Sequence, residues 1–249
     1  MKQTKAKKKK ESKSVDIVIP VYNEEKALAD SVRRLSRFLS GNLKAYSWRI
    51  VIADNASIDD TLKIAKKLSD NSQKVGYIHL DQKGRGRALR KAWTESKADI
   101  VSYMDVDLST DLEAFPKMID ALAERYDVGT GTRLSKRSRT ERSFKRELLS
   151  RGYNILVKAI LFTKFSDAQC GFKAATRKAV DDLVPLVKDN NWFFDTELLT
   201  LAEKKGYKTY EIPVKWIEDP DSRVNIIQTV YEYIRDLLRL RFELWMGKQ

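Results

Sequence analysis

Residues 98–111, ADIVSYMDVDLSTD, decide the fold, because an apolar strand-forming run ends there in two closely spaced carboxylates. The side chains of a strand alternate between the two faces of a sheet, so Asp105 and Asp107 are expected to point the same way at the strand's end. Like charges held that close repel each other unless a positive group lies between them. The stretch therefore predicts a buried strand whose end meets a cation.

Strand patterns alternate with helical patterns on both sides of this stretch, from Val15 onward. Repeated β-α-β units with short connections predict an α/β fold with a mostly parallel central sheet. Ligands bind beyond the carboxyl ends of such strands. Unusual polar segments fall at those ends, namely PVYNE, ADNAS, DVDLS and GTR. Ser57 is the expected N-cap of the helix after the second strand.

The second half of the chain is predicted to be mainly helical. A long helix covers RSFKRELLSRGYNILVKAILFTKF, and DAQCGFKAATR is expected to be a loop that enters a helix near Thr176. A further helix ends at Gly206, and YKTYEIPVKW predicts a strand. The last helix is expected to carry one apolar stripe, made of Ile227, Val230, Tyr231, Ile234, Leu237, Leu238, Leu244 and Trp245.

These patterns divide the chain into three parts. Residues 1–14 are lysine-rich and nearly free of apolar side chains, which predicts a disordered basic tail. Residues 15–224 form the α/β domain, and residues 225–249 form a C-terminal amphipathic helix. No uninterrupted apolar stretch is long enough to span a bilayer, so we expect a soluble or peripheral protein on the cytoplasmic side.

Composition limits the partners and the cofactor. The net charge of +13 indicates an anionic partner, which leaves open nucleic acid, a membrane surface or a phosphorylated substrate. The one cysteine, Cys170, excludes an internal disulfide and suits a reducing compartment. The single histidine, His79, excludes a His-rich metal site, so a bound metal would take oxygen ligands, as Mg²⁺ and Mn²⁺ do.

Two interpretations of the D-x-D pair follow from the residues themselves. The two carboxylates can be exposed groups that cap the next helix, as in many proteins. They can also bind Mg²⁺, which takes one or two carboxylates and fills its other positions with water and phosphate oxygens. The position at the ligand-binding edge, with Ser109 at the next same-face position, favours the metal. Such a metal would act as a Lewis acid on a diphosphate leaving group.

A resemblance to family 2 glycosyltransferases of the GT-A fold is carried by five ordered motifs: VDIVIPVYNEE, IVIADNASIDDT, DQKGRGRALRKAW, YMDVDLSTD and VGTGTR. The later motifs resemble the dolichyl-phosphate β-glucosyltransferase branch, a relative of the dolichyl-phosphate mannose synthases: LLSRGYNILVKAIL, DAQCGFKAATR, WFFDTELLTLAEKKGYKTYEIPVKW and DPDSRV. The resemblance implies an inverting, metal-dependent enzyme that transfers glucose from UDP-glucose to dolichyl or another polyprenyl phosphate. GDP-mannose is the alternative donor.

The resemblance also implies roles for individual residues. The nucleotide would contact Pro20, Tyr22, Glu24, Asp54 and Asp105, with Asp54 on the base. The metal would be held by Asp107 and Ser109, and the catalytic residues would be Asp107 and Arg133, which faces the phosphates. The acceptor's phosphate would be bound by Arg133, Arg146, Ser150 and Arg223. Asp195 and Glu197 would contact the donor sugar or act as structural partners, rather than serve as catalytic bases. Family members often have two acidic residues where this chain has Asp54 and Asn55.

Several alternatives remain open from the sequence. If the basic turn around Arg146 does not bind a phosphate, it is a solvated helix face. The segment GRGRA lacks the third glycine of a dinucleotide-binding fingerprint, so that interpretation is discounted. Contact with a membrane surface is suggested by three segments: the lysine tail, NILVKAILFTKF and the last helix. The alternative is that the apolar faces of NILVKAILFTKF and of the last helix pack on the core or on a second subunit. A basic nucleic-acid-binding protein is disfavoured, because the acidic strand ends would repel phosphates. A catalytically silent scaffold is the third alternative.

Overall fold

The structure is a computed structural model, and it describes residues 12–217 and 226–247. Nine strands are described: β1 (Ser14–Val21), β2 (Ser47–Asn55), β3 (Val75–Leu80), β4 (Ile100–Met104), β5 (Val128–Thr132), β6 (Arg139–Glu141), β7 (Phe172–Thr176), β8 (Thr209–Pro213) and β9 (Lys215–Ile217). Eight α-helices are described: α1 (Leu28–Asn42), α2 (Thr61–Asp70), α3 (Arg85–Glu95), α4 (Ala114–Glu124), α5 (Phe144–Leu161), α6 (Arg177–Leu183), α7 (Phe194–Lys204) and α8 (Ile226–Trp245).

Seven of the described strands form one sheet in the order β3-β2-β1-β4-β7-β5-β8, and β6 pairs with β9 in a small second sheet. All neighbours in the large sheet are parallel except β7, which runs antiparallel to both β4 and β5. The prediction of an α/β fold with a mostly parallel sheet is confirmed. The parallel strands β1, β2 and β4 therefore end at one edge, as ligand-binding α/β sheets require.

The core has two apolar layers, because successive strand residues point to opposite faces of the sheet. One layer joins the sheet to α1, α2 and α4, with Leu35 and Phe115 fully buried. The other joins it to α3, α5, α6, α7 and α8, with Trp93 and Leu198 fully buried. The polar loops begin where the strands leave these two layers, so packing of the core fixes the positions of the loops.

Strand β7 was not predicted, since its sequence FKAAT was interpreted as part of a loop. Small alanines and a central lysine are poor strand signals. In the structure Lys173 is fully buried, and its Nζ donates to the carbonyl oxygens of Ala168 at 3.1 Å and Cys170 at 2.7 Å. These bonds let a lysine occupy the middle of the sheet, because a buried ammonium needs partners.

Three local expectations were wrong. Helix α2 begins at Thr61 rather than near Ser57, whose Oγ instead accepts the backbone N–H of Asn23 at 3.0 Å. Strand β4 ends at Met104, so Asp105 and Asp107 lie in the following turn and do not alternate as strand residues. Strand β1 begins at Ser14, one residue inside the predicted tail, and residues 1–11 lie outside the described part of the chain.

The predicted single stripe of the last helix is also divided. Leu237 is fully buried against the core, whereas four of the other stripe residues are exposed: Tyr231, Ile234, Leu238 and Trp245. Helix α8 therefore has one packed face and one exposed apolar face. Within residues 12–217 and 226–247, no helix is long and apolar enough to cross a membrane.

Candidate active site

Three strained loops meet at the carboxyl edge of the sheet. Asn23 after β1, Ala56 after β2 and Leu108 after β4 all have a positive φ, of 55°, 60° and 50°. A non-glycine residue with such a φ is uncommon, and strain of this kind concentrates at functional sites. The first two loops are tied together, because Asn23 Oδ1 accepts the N–H of Ile58 at 2.9 Å. Backbone strain is thus located at the edge of the sheet where a ligand was predicted to bind.

Asp54 lies at the end of β2, where a nucleotide base was expected to bind. Its side chain is fully buried, and its Oδ2 lies 2.6 Å from Nδ1 of His79 on β3. Val21 and Asp54 are register partners in β1 and β2, so Pro20 and Tyr22 lie beside it on the neighbouring strand end. The structure brings these three predicted nucleotide contacts together. Glu24 follows in the same loop, with its backbone N–H donating to Thr61.

Asn55 departs from the acidic pattern of the family, and the structure gives it a local role. Its Oδ1 accepts the backbone N–H of Gly84 at 2.6 Å in a buried bond. This bond fixes the segment that leads into α3, where Lys83 lies over the ring of Tyr22 at 3.6 Å from the centroid. Because an amide oxygen accepts a hydrogen bond as a carboxylate does, asparagine can serve at this position.

Asp105 is held by a cation that belongs to the protein. Arg85, the first residue of α3, is buried, and its Nη2 donates to Asp105 Oδ1 at 3.0 Å. Its Nη1 donates to Asp195 Oδ2 at 2.8 Å. The guanidinium also lies over the rings of Tyr103 and Trp192, each 4.8 Å from the centroid. Arg85 was not assigned a role from the sequence, although its segment DQKGRGRALRKAW is one of the five motifs of the resemblance.

Asp195 lies behind this pair and is almost completely buried. The hydroxyl of Tyr103 donates to its Oδ1, and Nζ of Lys173 lies 3.5 Å from the same oxygen. Burial and the Asp195 charge raise the pKa of Tyr103, which keeps the phenol neutral and able to donate. The predicted contact of Asp195 with the donor sugar stays a prediction. In the structure, Asp195 forms a buried ion pair with Arg85.

Arg133 follows β5 and forms a two-pronged pair with Asp167. Its Nε and Nη2 donate to the two carboxylate oxygens at 2.8 and 2.9 Å, and Asp167 also accepts the backbone N–H of Arg133. Burial alone would lower the pKa of Arg133, but Asp167 raises it, and Asp105 contributes to the same rise. Arg133 therefore stays charged near Asp105, as phosphate binding requires.

Asp107 and Ser109 lie in the turn after β4. Asp107 is exposed, and its Oδ1 accepts the backbone N–H of Ser109 at 2.9 Å. The described residues contain no group of three His, Cys, Asp or Glu side chains that could hold a metal. A carboxylate with a neighbouring hydroxyl fits Mg²⁺ or Mn²⁺ when a substrate supplies phosphate oxygens, because these ions keep several non-protein ligands. The donor set thus fits a metal that arrives with its substrate.

The predicted acceptor residues Arg146 and Ser150 lie one turn apart on α5. Glu147, between them in sequence, pairs with Arg142 and Arg151. Burial would raise the pKa of Glu147, but the two arginines lower it overall. The first half of α5, together with Arg142 just before it, therefore carries a basic cluster that the sequence located in part, without Arg142. Arg223 lies outside the described residues.

Glu197 is fully buried on α7. Arg239 of α8 donates to its two oxygens at 3.0 and 3.1 Å, and the backbone N–H of Asp189 donates at 2.9 Å. These bonds join α7 to α8. Contact of Glu197 with the donor sugar stays a prediction, while its observed partners are structural.

The fold and the strand-end site define an α/β enzyme of the nucleotide-sugar transferase class. The family model "Glycosyl transferase family 2" matches residues 16–184, so the chain belongs to glycosyl transferase family 2. The sequence-based prediction of a glycosyltransferase that uses a nucleotide sugar is confirmed at this level.

Curated relatives align over nearly the whole chain. Glycosyltransferase AglD of Haloferax volcanii is 33% identical over 92% of this chain, which spans only 37% of that protein's length. The dolichyl-phosphate beta-glucosyltransferase of Homo sapiens is 30% identical, and the alignment covers 95% of this chain and 77% of the human protein. The dolichyl-phosphate beta-glucosyltransferase of Dictyostelium discoideum is 28% identical, and the alignment covers 94% of this chain and 75% of that protein.

Solved structures bear out the GT-A fold. Glucosyl-3-phosphoglycerate synthase from Mycobacterium tuberculosis, in complex with Mn²⁺ and UDP-glucose, superimposes with a TM-score of 0.68 at 16% identity, over 92% of this chain and 79% of its own. Its complex with UDP gives a TM-score of 0.70 at 18% identity, over 92% and 80%. At this identity the likeness concerns the fold.

Proposed function

We propose that the chain is an inverting glucosyltransferase that moves glucose from UDP-glucose to dolichyl phosphate or another polyprenyl phosphate. The observation that carries this proposal is the position of Asp54, Asp105 and Asp107 at the carboxyl ends of β2 and β4, the two strands that flank β1 in the sheet. Support for the substrates comes from relatives named dolichyl-phosphate beta-glucosyltransferase, which align over more than nine-tenths of this chain. A GDP-mannose donor is the alternative within the class.

The nucleotide is proposed to bind at the ends of β1 and β2, against Pro20, Tyr22, Glu24 and Asp54. Asp54 accepts a base N–H, and Asp105 contacts the nucleoside. Arg85 fixes the carboxylate of Asp105 in place, since it binds Asp105 and the buried Asp195 at once. Asp195 thereby acts on the donor through Arg85.

Asp107 and Ser109 are the residues that would hold Mg²⁺ or Mn²⁺ with the donor diphosphate. When bound, the metal supplies Lewis acidity that stabilises the leaving UDP. Arg133 adds a second positive charge at the phosphates. Its pairing with Asp167 holds the guanidinium in one orientation before substrate arrives.

Transfer requires no proton-accepting residue in this proposal. An acceptor phosphate is already ionised at neutral pH, so one of its oxygens attacks the anomeric carbon while the bond from that carbon to the diphosphate oxygen breaks. The products are the lipid phosphosugar, with inverted configuration, and UDP. Arg146, Ser150 and Arg223 are proposed to position the acceptor's phosphate, for which the planar guanidinium fork is suited.

The membrane is the proposed location of the acceptor, at its cytoplasmic face. Helix α5 exposes Phe144 at 82%, Leu148 at 62% and Ile155 at 66%, and α8 exposes a row of apolar residues on its outer face. The two helices meet through Tyr153 and Tyr233, whose ring centroids are 4.6 Å apart. Exposed apolar helix faces flanked by basic residues are typical of interfacial helices.

The decisive experiment offers the purified protein a set of nucleotide sugars with polyprenyl phosphate and Mg²⁺ or Mn²⁺, and looks for labelled lipid. We expect product from UDP-glucose, loss of product with chelator, and recovery with added metal. Asp107→Ala should abolish transfer, whereas Glu113→Gln, an exposed carboxylate at the start of α4, serves as the matched control. Full activity of Asp107→Ala would refute the metal assignment, and product only from GDP-mannose would refute the donor.

A further inference from the structure

The single histidine of the chain is the partner of the buried carboxylate at the end of β2. His79 and Asp54 are register partners in β3 and β2, and Nδ1 of His79 lies 2.6 Å from Oδ2 of Asp54. The His79 side chain is 34% exposed, whereas that of Asp54 is fully buried. On the described residues, this is the one hydrogen bond that the Asp54 carboxylate makes with another side chain.

The second oxygen of the same carboxylate lacks a donor. Oδ1 of Asp54 is buried and has no hydrogen-bond partner among the described residues. A buried polar atom without a partner is costly and rare in folded proteins, so it calls for an explanation. Asp54 lies at the carboxyl end of a parallel strand, the edge at which such sheets bind ligands, and its register partner on β1 is Val21, the residue before Tyr22. A donor from a ligand would remove the cost.

We propose that His79 determines which base the donor nucleotide carries. By donating to Oδ2, it uses part of the hydrogen-bonding capacity of that oxygen and leaves Oδ1 as the oxygen without a donor among the described residues. Uracil presents a single ring N–H between two carbonyl groups and matches that arrangement. This inference rests on the proposed function and narrows it to uridine diphosphate sugars.

Guanine makes the opposite demand. Its ring N–H and its exocyclic amino group lie side by side and are best received by both oxygens of one carboxylate. With Oδ2 already accepting a hydrogen bond from His79, the second guanine donor must share that oxygen with the imidazole N–H. A donor that shares its acceptor gains less than one that has an oxygen of its own, as uracil's N–H has at Oδ1. His79 therefore acts as a selector that admits uracil and disfavours guanine.

The test measures binding of UDP and of GDP to the full chain by calorimetry in the presence of Mn²⁺. His79→Phe removes the hydrogen bond and keeps a ring, so we expect the preference for UDP over GDP to fall by about tenfold, the value of one hydrogen bond. His79→Asn offers an amide N–H near the position of Nδ1 and should restore most of the preference. Tyr77→Phe, on the same face of the same strand and 38% exposed, is the matched control.

The outcomes separate this inference from the proposed function. An unchanged UDP preference in a folded His79→Phe protein overturns the selector role, while transfer from UDP-glucose would still support the function. A wild-type protein that prefers GDP also overturns the inference and favours the mannose donor instead. If His79→Asn loses the preference as fully as His79→Phe, the role of the hydrogen bond is refuted. Unfolding temperatures of all variants identify a loss of preference caused by unfolding.

Discussion

Arg85 donates from Nη2 to Oδ1 of Asp105 at 3.0 Å, so the protein itself supplies a cation beside the first carboxylate of the D-x-D pair after β4. The same guanidinium binds Asp195, on α7, at 2.8 Å. Helix α3 thus links the turn after β4 to the second half of the chain. The positive group expected between Asp105 and Asp107 was a divalent metal, which stays a prediction, whereas Arg85 is a cation at Asp105 that the sequence analysis did not assign.

Replacing Arg85 with methionine should impair both stability and transfer. Asp195 would remain buried with Tyr103 and Lys173 as its remaining partners among the described residues, and removing one partner of a buried ion pair typically costs about 3 kcal/mol or more. We expect a lower free energy of unfolding in urea, and a fall in kcat/KM of at least about tenfold because Asp105 loses its fixed position.

Arg85→Lys separates charge from geometry. A lysine keeps the positive charge but lacks the planar fork that reaches two carboxylates. Stability should recover in part while kcat/KM stays low. Equal kcat/KM in wild type and Arg85→Lys would contradict a positioning role, since charge alone would then suffice.

Gly171 is required by the close approach of the chain to Asp105. A Cβ at this position would lie 1.7 Å from Asp105 Oδ2, so Gly171→Ala must displace the carboxylate or the backbone before β7. We expect loss of nucleotide binding together with a clear decrease in unfolding temperature. Gly152→Ala on α5 is the matched control, since its Cβ would meet nothing within 4 Å and alanine favours a helix by up to about 1 kcal/mol. Normal nucleotide binding by Gly171→Ala would disprove this account.

Much of the fold was predictable because its signals are local. Strands β1, β2 and β4 are apolar runs that end in polar motifs, and their order along the chain implies the sheet edge at which the motifs meet. The same reasoning identified Asp54, which lies at the end of β2, and Asp105 and Asp107, which lie just after β4. Gly206, with φ of 77° after α7, ends that helix as expected.

What could not be predicted depends on contacts between distant segments. Strand β7 is held at the sheet centre by pairing with β4 and β5, and its buried Lys173 is tolerated only because carbonyl groups surround it. Arg85 and Asp195 are 110 residues apart, and nothing in either segment identifies the other. The division of α8 into packed and exposed faces likewise depends on where the helix docks.

The stability of the protein should depend on Asp167 in acid. Burial alone would raise the pKa of Asp167, but the Arg133 guanidinium lowers it to about 2, below the value of about 3.9 in an unfolded chain. The folded state therefore gains stability that is fully present above pH 4 and is lost as the pH falls towards 2. Its size is about 2.5 kcal/mol. Urea unfolding of the wild type between pH 5 and pH 2.5 should show this decline.

Asp167→Asn should remove that pH-dependent component. The variant is expected to be less stable at neutral pH, since Arg133 keeps its charge without a carboxylate partner. Its free energy of unfolding should then change less with pH than that of the wild type. Asp30→Asn, whose side chain is 64% exposed, is the control. Identical pH slopes for Asp167→Asn and wild type would rule out this role of the pair.

Arg146→Ala should impair use of the acceptor more than use of the donor. We expect the KM for polyprenyl phosphate to rise by about tenfold or more, because one charge-assisted contact to the phosphate is lost. Hydrolysis of UDP-glucose in the absence of acceptor should be little changed. Arg33→Ala, on the outer surface of α1 and 64% exposed, is the matched control. If hydrolysis and transfer fall to the same extent, Arg146 does not serve the acceptor.

The outer face of α8 should attach the protein to lipid. Phe242 and Trp245 are 55% and 75% exposed there, so Phe242→Ser/Trp245→Ser removes two large apolar side chains without opening the core. We expect binding to vesicles that contain anionic lipid to fall by at least about tenfold, since burial of each such side chain in the interface is worth about 1.5 kcal/mol or more. Ile58→Ser, an 85% exposed residue outside α5 and α8, should bind vesicles as the wild type does. Wild-type vesicle binding by the double variant, or an equal loss in Ile58→Ser, would show that α8 is not the attachment surface. Activity on a water-soluble, short-chain polyprenyl phosphate should survive the double substitution, because the residues proposed to bind the phosphate are unchanged.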